Sequence, residues 1–344
     1  MRIAFFDTHA FERGPFTAAN QAFGHEIAFL EARLQPATAV LANGHEAVCC
    51  FVGDDLGAAT LAVLHQAGVR LVLLRSAGFN HVDLLAADRL GLVVLRVPEY
   101  SPYSVAEHAV GLVLALNRKI HRAYARVREW NFSLDGLLGF DLHGKTVGLV
   151  GTGRIGKAAA RIFRGFGCRV LGYDAAPDAA FARETGLVYV PLPELYREAD
   201  IISLHVPLTP STHHLIDGRA FAAMRPGVVL VNTGRGALID SKALVQALKS
   251  GRIGAAGLDV YEEEEGIFFE DLSHRVLQDD VLARLLTFPN VIVTSHQGFF
   301  TREALANIAE TTLANAAAFA AGAPLPNRVD GRAVVPDRAD GTGG

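Results

Sequence analysis

The chain has 344 residues, half of them apolar and a fifth charged, and its 32 Lys plus Arg against 36 Asp plus Glu give a net charge of −4. That length points to about two domains and carries enough apolar side chain for full cores, which excludes a largely disordered protein. With no basic excess and no apolar run near ~18 residues, neither nucleic acid nor a membrane is expected as a partner.

The chain opens Met1-Arg2-Ile3-Ala4-Phe5-Phe6-Asp7. This apolar run is too short for a signal peptide and is closed by an acid, so a cytoplasmic protein is expected. Runs rich in Val, Ile, Leu and Phe predict strands at Ile3–Phe6, Ala47–Val52, Leu71–Leu74 and Leu92–Val97. Cys49 and Cys50 lie in the second run. With Cys168 they read as buried thiols of a reducing compartment, not as a disulfide framework. The turn-rich stretch Pro98–Pro102 leads into a long helical pattern, Ser104–Ala123, with Gly111 its only glycine.

A second set of strands follows at Thr146–Val150, Arg169–Tyr173, Ile201–His205, Val228–Asn232, Ala255–Val260 and Val291–Ser295. Continuous apolar strands separated by helices imply parallel sheets covered on both faces, so two sets imply two α/β domains. Another long helical pattern runs from Arg302 to about Ala321. Two such helices suit a chain that leaves one domain and returns to it. The expected organisation is a split domain, residues 1–100 plus 300–330, and an inserted domain, 101–299. The sequence from Arg328 lacks periodicity, and 331–344 is expected to be a loose tail.

The strongest local motif is Gly151-Thr152-Gly153-Arg154-Ile155-Gly156. It follows a predicted strand and opens a helix with Ile155, Ala159, Ile162, Phe163 and Phe166 on one face; an acid, Asp174, stands 18 residues after Gly156. This is the context a dinucleotide fingerprint requires. Gly151 permits the tight turn, Gly153 lets backbone approach a pyrophosphate, and Gly156 lets the helix pack on the sheet. Gly151, Gly153, Arg154, Ile155 and Gly156 are expected against the cofactor. Asp174 suits the ribose hydroxyls and repels a 2′-phosphate, which favours NAD.

Three strand ends carry candidates for chemistry, because ligands of such sheets bind outside the carboxyl ends of the strands. Asn232-Thr233-Gly234-Arg235-Gly236 presents an Arg suited to a carboxylate. Gly257-Leu258-Asp259-Val260-Tyr261 runs into Glu262, Glu263, Glu264 and Glu265, among which composition does not choose. Thr294-Ser295-His296-Gln297-Gly298 ends in a His, the natural proton donor near neutral pH. His213-His214 lack a nearby Cys or carboxylate pattern with metal-ligand spacing, and no metal is expected.

Together these stretches resemble the D-isomer-specific 2-hydroxyacid dehydrogenases, most nearly the bacterial fermentative D-lactate branch. The resemblance runs from Met1 to about Val329. Its further markers are Arg75-Ser76-Ala77-Gly78-Phe79-Asn80-His81-Val82-Asp83, Val97–Pro102 and His205-Val206-Pro207-Leu208-Thr209. It implies two Rossmann-like, doubly wound parallel-sheet domains: a flavodoxin-like split substrate domain and an inserted NAD-binding Rossmann domain. It implies NAD as cofactor and reversible reduction of pyruvate to D-lactate. The family pattern makes Arg235, Glu264 and His296 the catalytic residues and leaves Glu262, Glu263 and Glu265 as surface acids. Along the cofactor it places Ile155, Gly156, Asp174, Val206, Pro207, Thr212, Thr233, Gly234, Arg235 and Asp259. At the substrate it places Ala77 and Gly78, with Arg235 and His296. Tyr100 and Phe299 or Phe300 are expected to wall a small apolar pocket. The insertion Glu265–Leu272 after Glu264, with Tyr100-Ser101-Pro102, resembles the D-lactate branch. Larger 2-oxo acids, or a sensor related to NAD(H)-binding corepressors, are the other readings. A homo-oligomer, dimer or tetramer, is expected through the second domain and the helix from Ser104, with Arg122, Arg126 and Arg128 solvated.

Overall fold

Strands β1 (Arg2–Phe5), β2 (Glu26–Phe29), β3 (Ala47–Cys50), β4 (Leu71–Leu74) and β5 (Val93–Leu95) form the first part of the chain in the computed structural model. The structure describes residues 1–264 and 266–333, so Glu265 and the expected tail beyond 333 lie outside the described residues. Then come β6 (Thr146–Val150), β7 (Arg169–Tyr173), β8 (Val188–Tyr189), β9 (Ile201–Leu204), β10 (Val228–Asn232), β11 (Ile253–Leu258) and β12 (Val291–Val293). The chain finally adds β13 (Arg328–Val329).

By its contacts the chain divides into two units, Met1–Ser101 with the chain from Phe300 onward, and Pro102–Phe299. The first holds a six-stranded sheet in the order β13-β5-β4-β3-β1-β2, parallel except for β13. The second holds a seven-stranded parallel sheet in the order β12-β11-β10-β9-β6-β7-β8. Every residue of β3, β4, β9 and β10 is buried, as strands covered on both faces must be. Strand order reverses between β1 and β3 in one sheet and between β6 and β9 in the other. Such reversals open a crevice at the carboxyl ends of the strands.

Several helices begin on a side-chain cap. Asp83, Asp178, Asp217, Asp240, Asp279 and Thr301 each accept hydrogen bonds from first-turn amides. Among the described residues no helix is long and apolar enough to cross a membrane.

Four expectations are corrected. The long helix is two helices, Pro102–Arg118 and Ile120–Arg128, because Lys119 adopts a left-handed backbone at φ 50°. The break is held from afar: the Asn117 side chain accepts from the Phe140 amide at 2.8 Å and donates to its carbonyl at 2.7 Å. Phe166 does not complete the buried face of the fingerprint helix; it lies past the last turn and is exposed, whereas Ala159 and Phe163 are buried. Strands β2, β8 and β13 were not visible in the sequence, being edge strands of two to four residues, too short for a period to register. The stretch from Arg328 is ordered as far as it is described. Arg328 and Val329 pair with Leu95 and Val94, and the Gly331 amide donates to Asp88 at 2.7 Å.

Candidate active site

The dinucleotide turn leaves β6 at Gly151, whose φ of 96° lies in the region that favours glycine. A side chain there would meet the His205 carbonyl at 2.6 Å, and one at Gly156 would collide with the Gly151 carbonyl. Gly153 caps the helix Arg154–Gly165 without a side-chain hydrogen bond, and a Cβ built on it meets nothing within 4 Å. Arg154 is exposed and Ile155 half-buried at the same helix end. The turn therefore opens the helix N-terminus toward free space at Gly153, which is what an anion at a helix N-terminus needs.

Asp174 follows β7 and is oriented by the turn itself. Its Oδ2 accepts from the Thr152 amide at 2.6 Å and from the Thr152 hydroxyl at 3.0 Å, while Oδ1 accepts from the Ala176 amide at 2.9 Å. The Tyr189 hydroxyl lies 2.8 Å from the Thr152 hydroxyl and extends the network. Partial burial opposes the Asp174 charge, but these donors outweigh it and hold the carboxyl below the usual range. Thr152 and Tyr189 were not singled out in the sequence, and only their contacts reveal them.

Past β9, Val206 is half-buried and Pro207 exposed, and the Thr212 hydroxyl donates to the Pro207 carbonyl at 2.6 Å. Past β10, the Asn232 side chain accepts from the Gly234 amide at 3.0 Å and donates to the Arg235 carbonyl at 2.8 Å. This shapes the turn that carries Arg235, whose guanidinium donates to the Gly234 carbonyl at 2.8 Å. The Thr233 hydroxyl is buried with no hydrogen-bond partner among the described residues. A buried polar atom without a partner is costly, so this one fits a ligand group. Together with the open face of Gly153 and the orientation of Asp174, it makes the site fit an NAD dinucleotide.

His296 and Glu264 are brought together across 32 residues: Nδ1 of the imidazole lies 2.9 Å from the carboxylate Oε1. Both are part-exposed. The other Glu264 oxygen accepts from the Tyr261 amide at 3.1 Å. Arg235 belongs to the same cluster through its neighbour, because Gly236 packs so tightly on the Tyr261–Glu262 peptide that a Cβ would collide with it.

His296 is a non-glycine residue at φ 50°. Asp259 holds it there. The Asp259 carbonyl accepts from the His296 amide at 2.7 Å, and its buried carboxylate accepts from the amides of Gln297 and Gly298, each at 2.8 Å. The Thr294 hydroxyl at 2.7 Å and the His108 ring at 3.2 Å complete the set. Burial works against the Asp259 charge, but His108, Thr294 and the Gly298 amide keep it below the usual carboxylate range. The Asp259 carboxylate, expected along the cofactor, thus also orders the His296 loop. Phe269, within the insertion, places its ring 6.0 Å from the His296 ring and was missed in the sequence.

Of the acids read as surface charges, Glu262 is corrected. It is half-buried, lies 2.5 Å from the His214 ring nitrogen and accepts from the Ser241 amide at 3.2 Å. The reading of His213-His214 as lacking a carboxylate is corrected with it, because the partner is 48 residues away in sequence.

In the other unit, Ala77 and Gly78 form a turn whose carbonyls are all held from behind. Val97 N–H donates to the Ser76 carbonyl at 3.1 Å, Arg96 to that of Ala77 at 2.9 Å and the Ser76 hydroxyl to that of Gly78 at 2.8 Å. The amides of Ala77 and Gly78 make no hydrogen bond among the described residues. Below them Arg75 is fully buried, bonded to Glu12 at 2.5 Å and to the carbonyls of Phe6, Asp7 and Cys49. Tyr100 is half-buried and its carbonyl accepts from Asn307 at 2.6 Å. Phe299 is half-buried, whereas Phe300 is exposed and packs edge-on against Phe11.

Residues 110–298 match the family model described as D-isomer specific 2-hydroxyacid dehydrogenase, NAD binding domain. The chain is 51% identical over 329 residues to D-lactate dehydrogenase of Escherichia coli (strain K12), covering 96% of this chain and 100% of that one. It is 52% identical over 321 residues to 2-hydroxyacid dehydrogenase homolog 1 of Schizosaccharomyces pombe, covering 93% and 96%. The solved structure of the pyruvate reductase of Chlamydomonas reinhardtii superposes with a TM-score of 0.90 at 45% identity, covering 95% and 98%. The chain therefore belongs to the D-isomer-specific 2-hydroxyacid dehydrogenases, NAD-dependent oxidoreductases.

Proposed function

We propose that this protein is a D-lactate dehydrogenase, reversibly reducing pyruvate to D-lactate. The observation that carries the reading is the His296–Glu264 pair at 2.9 Å, beside the Arg235 turn in an NAD-binding domain. The names of the E. coli and C. reinhardtii relatives support the choice of substrate.

A reduced nicotinamide held by this domain would supply the hydride for the carbonyl carbon. As electrons move to the carbonyl oxygen, His296 in its charged form donates a proton there, and in the reverse direction neutral His296 removes it. Glu264 stabilises the imidazolium and fixes the ring through Nδ1. Arg235 offers a planar cation to the substrate carboxylate and to the developing oxyanion. The amides of Ala77 and Gly78 bind the carboxylate, and Tyr100 and Phe299 limit the size of the substrate's other end. Gly151, Gly153, Arg154, Ile155 and Gly156 hold the pyrophosphate side of the dinucleotide. Asp174 takes the ribose, and Val206, Pro207, Thr212, Thr233 and Gly234 border the rest. In this reading the unit of residues 1–101 and 300–330 is the substrate domain.

A homo-oligomer is part of the same proposal. Trp130, Phe132, Leu134 and Leu138 stand out at 84%, 67%, 82% and 89% exposure after the helix Ile120–Arg128. Apolar groups this exposed in one segment suit burial against a second copy. We place the protein in the cytoplasm, where buried free thiols such as Cys49 stay reduced. NADH oxidation with pyruvate, glyoxylate, hydroxypyruvate, phenylpyruvate and 2-oxoisocaproate tests the reading. Pyruvate is expected to give the highest kcat/KM. A clear preference for a larger acid moves the assignment within the family, and NADH binding without turnover on any of them overturns it in favour of a sensor.

A further inference from the structure

We propose that His213, His214 and Glu262 bind a divalent transition cation of the Zn2+ class, and that occupancy slows the dehydrogenase. The inhibitory part rests on the assignment of Arg235 and Glu264 to catalysis.

The donor set is two imidazoles and one carboxylate, whose ligand atoms all lie within 4.8 Å of one another. Imidazole nitrogen with one carboxylate suits Zn2+ and its neighbours, and three protein ligands with water as the fourth complete a tetrahedron. The site is partly built. His214 is fixed at φ 50° with its amide donating to the Ala237 carbonyl at 2.8 Å, and Glu262 is anchored on the Ser241 amide at 3.2 Å. His213 is the exposed ligand, stacked on His214 at 4.0 Å.

Occupancy must move something. Metal–ligand bonds of ~2.0–2.1 Å at tetrahedral angles set neighbouring donor atoms roughly 3.3 Å apart. His214 and Glu262 stand at 2.5 Å, so the cation has to push the carboxylate outward. Glu262 is poorly placed to move alone. The Tyr261–Glu262 peptide is wedged against Gly236, next to Arg235, and the Tyr261 amide donates to Glu264 at 3.1 Å. A displacement of Glu262 is therefore passed to the turn that presents Arg235 and to the carboxylate that holds His296.

The test is calorimetric titration of the untagged, metal-free full chain with ZnCl2, with MgCl2 as the control for hard, oxygen-seeking ions. The expected result is one Zn2+ per chain, no Mg2+ binding, and at least ~10-fold weaker Zn2+ binding in both His213→Ala and Glu262→Gln. NADH-dependent turnover of pyruvate falls with Zn2+ and is restored by EDTA. His213→Ala keeps the metal-free rate and loses the Zn2+ response. Absence of saturable Zn2+ binding, or binding unchanged in both variants, overturns the site. Inhibition that persists in His213→Ala overturns the coupling and moves the ion to the His296–Glu264 pair. Saturable binding with unaltered turnover also overturns the coupling. Variant-sensitive Zn2+ binding by a chain inert toward every 2-oxo acid supports the site and overturns the catalytic reading instead.

Discussion

Two ion pairs, one in each unit, do opposite work. Arg75 and Glu12 are sealed from water, with side-chain exposures of 0% and 4%, whereas His296 and Glu264 stand at 22% and 28%. Arg75 spends its donors on Glu12 and on carbonyls at the ends of β1 and β3, and lies between the rings of Phe5 and Phe51 at 4.2 and 4.9 Å. It ties together the strand ends beneath the Ala77–Gly78 turn. His296 leaves its second ring nitrogen for a proton that must come and go. A buried pair is architecture, because exchanging its proton would strand a charge; a half-exposed pair suits acid–base chemistry.

The largest expected effect comes from breaking the sealed pair. Glu12→Ala leaves the Arg75 charge uncompensated and should cost about 3–5 kcal/mol in urea unfolding. A loss below 1 kcal/mol would mean that water reaches Arg75, and the contrast between the pairs would fail. Next is His296→Ala, expected to lower kcat at least ~100-fold, about 2.7 kcal/mol, with little change in Tm. A variant that melts early but turns over normally would reverse the assignment of roles. Asp174→Ala removes charge-assisted hydrogen bonds worth about 1.5–3 kcal/mol, so discrimination of NAD over NADP should fall roughly 10- to 100-fold in kcat/KM. Unchanged discrimination would detach Asp174 from the ribose.

The smallest effect at neutral pH is a pH slope in stability. Asp54 is buried beside the Arg75 network, its oxygens accepting from the amides of Leu34 and Phe51 at 2.6 Å each. Burial raises its pKa to about 6 despite Arg75 and those amides. The folded state then holds the Asp54 proton more tightly than the unfolded chain between about pH 4 and 6, so this group's contribution falls as pH rises through that window and is flat above it. Asp259 and Asp174, held below the usual range, act with the opposite sign and in a separate window, below about pH 4, where their contribution is lost as pH falls. The difference in stability between the native chain and Asp54→Asn isolates the Asp54 part. A difference that does not change from pH 4 to 6 contradicts the raised value.

Much of this architecture was legible along the chain, for identifiable reasons. Strands such as Leu71–Leu74, Thr146–Val150 and Val228–Asn232 are continuous apolar runs, and their ends fall where the sequence placed them. The fingerprint was legible because its residues are neighbours in sequence. The break at Lys119 was not, since Phe140 imposes it from beyond the helix. Nor was Phe269 beside His296, because nothing in the run Gly266–Leu272 says which aromatic turns toward the ring.

The sequence by itself determined two parallel sheets, a dinucleotide turn and a short set of strand-end candidates, because periodicity and adjacent motifs are local properties. Only the tertiary structure decided how the acids divide their work. Glu264 faces His296, Glu262 faces His214, and Asp259 clamps the loop between Thr294 and Gly298. Those partners stand 32 to 48 residues apart in the first two cases, and a carboxylate's role is set by what folding brings within about 3 Å of it.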